Sequence, residues 1–104
     1  EWQQAQRRVD QAREANPDYA FPWKLQAQIH LSREGSDRKA LERALDAYKS
    51  YSDRNPSDPS GYLERYQIFI KKTQYDKGLE ELNKIYGIYP KYPKLHFYKG
   101  TLYS

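Results

Sequence analysis

The residues able to do chemistry are few and scattered along this 104-residue sequence. Its two histidines, His30 and His96, have no Asp, Glu or Ser partner at the spacing of a metal or nucleophile motif. The adjacent acids Glu80 and Glu81 fall in a helical pattern, where neighbours point about 100° apart, and are expected to face solvent. No glycine-rich phosphate loop, HExxH sequence or nucleophile elbow occurs. The sequence therefore predicts a protein that is not an enzyme, with no catalytic, metal-binding or cofactor-binding residues.

A basic, aromatic C-terminal segment is the stretch whose composition points to a class of ligand. The formal net charge of +4 comes wholly from residues 82–104, which contain four lysines and no acid. These lysines alternate with rings: Lys84, Tyr86, Tyr89, Lys91, Tyr92, Lys94, Phe97, Tyr98, Lys99 and Tyr103. Stacking rings beside cations are typical of single-strand nucleic-acid platforms, and rings also stack on sugars. Nucleic-acid or polysaccharide binding is therefore an alternative function, although helix packing would also account for several of these rings.

Length and composition bound the remaining possibilities. One small domain fits this length. The absence of cysteine excludes disulfides and thiolate metal sites. No apolar run approaches the roughly 18 residues needed to cross a bilayer, and no signal-peptide pattern opens the chain. Because methionine is also absent, we expect the chain to be a processed product or a piece of a longer protein, and we favour a part of a larger multi-domain or assembly protein.

The elements that must position any binding residues are marked by prolines. Pro17, Pro56 and Pro90 each follow a helix-like stretch, at intervals of 39 and 34 residues. A second proline follows each of them after a short gap, where a helix would begin and its first turn tolerates proline. The pattern indicates a repeating unit of two antiparallel helices.

Apolar residues between these prolines recur at the helical spacing of three and four. The stretch from Phe21 to Leu31 also alternates as a strand would, but it has few β-branched residues, and the surrounding repeat favours a helix. Ser36 or Asp37, and Thr73, are expected to be N-caps in the inner turns. The predicted helices span residues 3–15, 20–33, 37–54, 59–72, 75–89 and 93–103.

The 34-residue unit from Ser57 to Pro90 resembles the tetratricopeptide repeat (TPR). Tyr62 stands where the family has Trp, Gly78 fills the small slot of the second helix, and Pro90 closes the unit. The other matches are Phe69, Tyr75, Leu79 and Leu82 in this unit; Trp23, Ala27, Ala44, Leu45, Tyr48 and Pro56 in the preceding one; and Ala5, Val9, Ala12, Pro17, Leu95, Gly100 and Tyr103 at the ends. Gln26, His30 and Tyr66 depart from the family pattern. The preceding unit has five extra residues, which we expect to lengthen its turn and its second helix by about one turn.

The resemblance implies an all-α domain of about six helices, in antiparallel helix-turn-helix repeats stacked as a short right-handed superhelix. Its parts would be residues 1–17 (second helix of a partial repeat), 18–56 (a long repeat), 57–90 (a standard repeat) and 91–104 (first helix of a partial repeat). Tyrosines are expected to fill helix-packing positions, namely Tyr48, Tyr51, Tyr62, Tyr66, Tyr75 and Tyr103.

By the same resemblance, function would lie in a concave groove lined by the first helix of each unit. The implied groove residues are Phe21, Lys24, Gln28, Leu31, Leu63, Gln67, Ile70, Lys71, Lys94, Phe97 and Thr101. This mixture of amide, basic and apolar groups suits a peptide or a partner protein. The clamp with which some TPR proteins grip acidic chaperone tails is not expected, because Glu64 and Tyr98 occupy two of its positions. The predicted function is a non-enzymatic protein–protein interaction scaffold.

Overall fold

The computed structural model describes residues 2–91, and this part of the chain is all-α and contains no strand. Its helices are α1 (Trp2–Ala15), α2 (Phe21–Ser32), α3 (Ala40–Arg54), α4 (Ser60–Lys71) and α5 (Tyr75–Ile88). The helix predicted over residues 93–103 lies outside the described residues. The chain divides into two compact units, unit 1 (Glu1–Pro56) and unit 2 (Ser57–Ser104). Within each unit, consecutive helices pack together: α2 contacts α1 and α3 in unit 1, and α4 contacts α5 in unit 2. The all-α prediction is confirmed.

Residues 21–32 form the helix α2, although the alternating apolar residues of this stretch are also typical of a strand. Its apolar residues lie on more than one side because α1 and α3 pack on it from two directions. Ala27 and Ile29 are both buried, although they lie about 160° apart around the helix axis. A helix with packing partners on two sides needs no single apolar stripe, which explains why its pattern resembled that of a strand.

The five extra residues of the long repeat lie mainly in a turn. Helix α3 has 15 residues and α5 has 14, so the predicted lengthening by one helical turn is wrong. Residues 33–39 join α2 to α3, whereas residues 72–74 suffice between α4 and α5. Asp37 organises the longer turn: its Oδ1 accepts a hydrogen bond from the Lys39 backbone N–H at 3.0 Å, and its Oδ2 pairs with Arg43 at 2.6 Å. Helix α3 therefore begins at Ala40, three residues later than predicted.

Thr73 does not cap α5, which corrects the sequence-based expectation. The residue before the helix is Gln74, and no side chain there bonds to the backbone of the first turn. Thr73 instead has a φ of 57°, in the left-handed region, and its hydroxyl donates to the Lys72 carbonyl at 2.6 Å. This conformation is costly for a β-branched residue, so the tight joint between α4 and α5 holds local strain.

The core of unit 2 is built from Tyr66, Leu82 and Ile85, with Tyr62, Leu63 and Ile70 packed against it. Gly78 allows the close approach of α5 to α4, because a Cβ at that position would lie 3.3 Å from Ile70 Cδ1 and 3.4 Å from Tyr66 Cδ1. Tyr48 and Tyr51 are likewise buried in unit 1. Tyr75 is 51% exposed, so its predicted packing position is wrong. Tyr103 lies outside the described residues.

Glu81 is buried in unit 2, which corrects its assignment to a solvated face. Only 1% of the residue is exposed. Its Oε1 accepts a hydrogen bond from Arg65 Nε at 2.6 Å, and Lys84 Nζ lies 3.2 Å from its Oε2 without hydrogen-bond alignment. Adjacency to Glu80 gave no hint of this, because consecutive helical residues point in different directions and only Glu81 faces α4.

Candidate partner-binding surface

The predicted groove residues of α2 share one face of that helix. Phe21 is 49% exposed and Gln28 is exposed, whereas Lys24 and Leu31 are half-buried. The ring of Phe21 lies 6.3 Å from that of Tyr19, which is also exposed. Lys24 extends its ammonium over Tyr51, with Nζ 5.6 Å from the ring centroid. The structure therefore brings an aromatic pair, an amide and an ordered cation together on one side of unit 1.

The predicted groove residues of α4 fall into two groups. Leu63 and Ile70 are half-buried and pack against the core of unit 2. Gln67 and Lys71 are exposed. The apolar members thus join α4 to α5, whereas the polar members reach solvent. The remaining predicted residues, Lys94, Phe97 and Thr101, lie outside the described residues.

An apolar cavity of about 430 Å³ lies between α1 and α2 in unit 1. It is lined by Trp2, Ala5, Arg8, Val9, Leu25, Gln28, Ile29 and Ser32. We call this cavity the α1–α2 slot. Gln28 belongs to the predicted groove, whereas the other lining residues were missed as a site. Trp2, Ala5 and Val9 are spaced as one helical stripe, and the exposure of Trp2 could not be read from that spacing.

Both cations and acids lie near the α1–α2 slot. Arg8 lines the slot, and the Arg33 guanidinium lies 4.0 Å from the centroid of the Trp2 ring. Helix α2 contains no acid, but Asp10 follows Val9 on α1 and the exposed Glu34 follows Arg33. The side chains that line the slot itself include one cation, Arg8, and no acid.

The opposite face of α2 holds a chain of polar side chains. Gln6 and Gln26 exchange two amide hydrogen bonds, of 2.5 and 2.8 Å. Gln6 Nε2 also donates to Asp10 at 3.0 Å, and Gln26 Nε2 lies 3.0 Å from His30 Nε2. Because a carboxylate only accepts, Asp10 sets the orientation of both amides and makes His30 Nε2 the acceptor. The proton of neutral His30 then resides on Nδ1, which is buried and has no hydrogen-bond partner.

Burial is the main cause that lowers the pKa of His30 below its ordinary value of 6.5, and the nearby Arg43 adds to it. Protonation would place two donors, Gln26 Nε2 and His30 Nε2, opposite each other. The imidazole therefore acts as a neutral member of the α1–α2 contact.

Two arginines enclose Trp23 beside this network. The Arg13 guanidinium lies 3.9 Å and that of Arg54 lies 4.7 Å from the centroid of the indole ring. Arg54 Nε also donates to the Pro17 carbonyl at 3.0 Å. These contacts connect α1, the turn after it and the end of α3 to the start of α2. They position α2, and with it the predicted binding face.

No group of three or more His, Cys, Asp or Glu side chains within residues 2–91 could hold a metal ion. Among the helices described, none is long and apolar enough to span a membrane. The chain matches no known protein-family model and no curated protein sequence.

Proposed function

We propose that this chain is a non-enzymatic scaffold that binds a peptide or a partner protein, within a TPR-like right-handed superhelix. The ligand would bind on the open faces of α2 and α4, the first helices of their repeat units. The observation that carries the proposal is the arrangement of α2. Its buried residues contact α1 and α3, while Phe21, Lys24, Gln28 and Leu31 share the face beside the apolar α1–α2 slot.

The chemistry of this face suits a polypeptide ligand. Phe21 and its neighbour Tyr19 supply apolar area at low cost in side-chain entropy, as binding hot spots often do. Gln28 offers both a donor and an acceptor for a partner's backbone or side chains. Lys24 contributes a cation whose position is already restricted by Tyr51, so less rotamer freedom is lost on binding.

A peptide-display selection against the whole chain tests the proposal. We expect selected peptides to perturb the NMR amide signals of α2 around Phe21, Lys24 and Gln28. The triple variant Lys24→Ala, Gln67→Ala, Lys94→Ala should weaken their binding while leaving the circular dichroism spectrum unchanged. A control triple variant at exposed positions outside the predicted groove, Gln11→Ala, Lys39→Ala, Lys77→Ala, should bind normally. Equal binding by both variants would contradict the groove assignment.

Nucleic-acid or polysaccharide binding is the second candidate, and one observation favours it. Tyr86 and Tyr89 are both nearly half exposed, and the exposed Lys91 follows them. Titration with single-stranded homopolymers and with an acidic polysaccharide at low and high salt tests this alternative, because phosphate contacts make affinity steeply dependent on salt. The absence of salt-dependent binding would remove it.

A further inference from the structure

Four polar side chains are joined in a row across the contact between α1 and α2, and we call them the amide relay: Asp10, Gln6, Gln26 and His30. We propose that the relay has two states, in which the surface carboxylate of α1 selects the tautomer of neutral His30 and protonation of His30 reverses both amides while α1 stays in register. This inference concerns a conformational device within unit 1 and does not depend on the proposed function.

The first state of the relay has a direction that Asp10 sets. Its Oδ1 accepts from Gln6 Nε2 at 3.0 Å, which leaves the Gln6 oxygen to accept from Gln26 Nε2 at 2.8 Å. Gln26 Nε2 also lies 3.0 Å from His30 Nε2, which must therefore be an acceptor. The imidazole proton then resides on Nδ1, a buried atom without a hydrogen-bond partner. The carboxylate thus holds His30 in a tautomer whose N–H gains no hydrogen bond.

The second state keeps both hydrogen bonds between the two glutamines. If each amide exchanges the positions of its oxygen and nitrogen, Gln6 and Gln26 still donate to and accept from each other. Gln26 then presents its oxygen to His30 and accepts a hydrogen bond from Nε2–H, which both the other neutral tautomer and the imidazolium can donate. The reversal needs no movement of the backbone, so α1 keeps its register on α2.

The bond that the second state gives up lies at the surface. Gln6 would present its oxygen to the Asp10 carboxylate, and two acceptors cannot bond to each other. Asp10 is exposed and can turn into water, whereas Gln26 is only 7% exposed. We expect the surface bond to favour the first state by roughly tenfold while His30 is neutral. Two donors facing each other at the buried end cost more than this bond, so protonation of His30 reverses the relay.

Charged groups around the imidazole affect its protonation but not the direction of the relay. They come from three elements: Arg13 of α1, Arg33 and Asp37 of the turn after α2, and Arg43 and Asp46 of α3. Burial is the main cause that lowers the pKa of His30, Arg43 adds to it, and Asp37 opposes it. Both neutral tautomers carry the same net charge, so the choice between them is left to the hydrogen bonds.

The nitrogen NMR signals of the imidazole in the whole chain test the proposal, because they distinguish a protonated ring nitrogen from an unprotonated one. His30→Gln identifies the signals that belong to His30 rather than to His96. At a pH above the titration of His30, we expect the proton of the original chain to reside on Nδ1 by roughly tenfold. A proton that resides on Nε2 in the original chain would overturn the proposal.

Asp10→Asn should move that proton to Nε2. An asparagine side chain can donate to Gln6 as well as accept from it, so it sets no direction. The Nε2–H tautomer then bonds to Gln26 and leaves Nδ1 as an unpaired acceptor, which is less costly than an unpaired buried N–H. The same tautomer in Asp10→Asn as in the original chain would overturn the proposal.

Glu14→Gln is the matched control for the lost charge. Glu14 is an exposed acid of α1 that borders the same cavity as Asp10. Removing a negative charge by itself makes protonation of His30 harder, whereas freeing the relay makes it easier, so the two effects have opposite signs. In a pH titration we expect a higher pKa for His30 in Asp10→Asn than in Glu14→Gln. Equal pKa values in the two variants would contradict the relay.

Gln6→Met tests whether the influence of Asp10 passes through the hydrogen bonds. Methionine has a similar length but cannot continue the relay, so Asp10→Asn should no longer change the tautomer of His30 in this background. An undiminished effect of Asp10→Asn there would show that it acts through space, and the proposal would fail.

Hydrogen exchange separates reversal of the relay from release of α1. We expect the backbone amides of α1 around Val9 to keep their protection factors, corrected for intrinsic exchange at each pH, while His30 titrates. Loss of this protection in step with the titration of His30 would mean that α1 leaves α2, which would overturn the proposal.

Discussion

The buried carboxylate of Glu81 offers a sharp test of how unit 2 is held together. Glu81→Ala removes the acceptor of Arg65, whose side chain is only 14% exposed. The guanidinium, which also lies 5.4 Å from the centroid of the Phe69 ring, would then remain largely desolvated without its carboxylate. Breaking one partner of a buried pair costs about 3–5 kcal/mol. We expect unit 2 to lose about 3 kcal/mol, near the lower end, because Arg65 retains some contact with solvent.

Related variants separate charge from shape. Glu81→Gln keeps an acceptor oxygen but exchanges a charge-assisted bond for a neutral one, so we expect a loss of about 1–2 kcal/mol. The double variant Arg65→Met, Glu81→Leu leaves neither charge buried and should lie within about 1 kcal/mol of the original chain. Glu80→Ala is the matched control, because Glu80 is exposed on the same helix, and it should cost less than about 0.5 kcal/mol.

Urea unfolding followed by circular dichroism at 222 nm and by tyrosine fluorescence measures these differences. The chain contains two compact units, so each variant's effect is assigned to the unfolding transition that it shifts. The reasoning is refuted if Glu81→Ala costs no more than Glu80→Ala. It is also refuted if the double variant is as unstable as the single one, because the Arg65 charge left without Glu81 would then not be the cause.

Three further predictions concern backbone strain, close packing and pH. Thr73→Gly should stabilise unit 2 by about 1 kcal/mol in urea unfolding, because glycine adopts a φ of 57° without the steric cost, whereas Thr73→Ala should not. Gly87→Ala should raise the free energy of unfolding by about 0.5–1 kcal/mol, because open space surrounds its added Cβ. Gly78→Ala should raise it clearly less, because its Cβ would lie 3.3 Å from Ile70 Cδ1. Equal gains in stability would contradict the described packing. The stability contributed by neutral His30 should be fully present above its unfolded pKa of about 6.5 and be lost as pH falls through its lower folded pKa. Chemical unfolding at a series of pH values measures this effect, and His30→Gln should flatten the dependence of the unfolding free energy on pH.

The helices could be predicted from local signals, because proline and apolar spacing act within a few residues. Pro22 and Pro59 mark the starts of α2 and α4, and the bounds of these helices differ from the predicted ones by one residue at each end. The start of α3 was missed because Asp37 bonds to the backbone of Lys39 and to Arg43, which closes a turn before the helix instead of capping it. Glu81 was misassigned because its burial depends on Arg65, sixteen residues away on another helix. Local spacing carries no information about such a partner.

The candidate surface was predictable only in part, for a related reason. Phe21, Lys24, Gln28 and Leu31 were implied by the resemblance to the TPR, and the structure places them on one face of α2. Predicting the α1–α2 slot would require knowing how α1 lies across α2. That arrangement depends on contacts between residues distant in sequence. Trp2 is placed by Arg33 at 4.0 Å, and Gln6 by its paired bonds to Gln26.

The polar face of α2 therefore helps to define the apolar one. A contact made only of apolar side chains allows helices to slide by one turn at small cost, whereas the paired amides of Gln6 and Gln26 match in one register only. Asp10 fixes the direction of those amides, and His30 completes the chain at its other end. Ala5 and Val9 of α1 line the slot together with Leu25 and Ile29 of α2, so the same register sets the shape of the slot. Gln26 and His30, which depart from the TPR pattern, thus influence the α1–α2 slot through the position of α1.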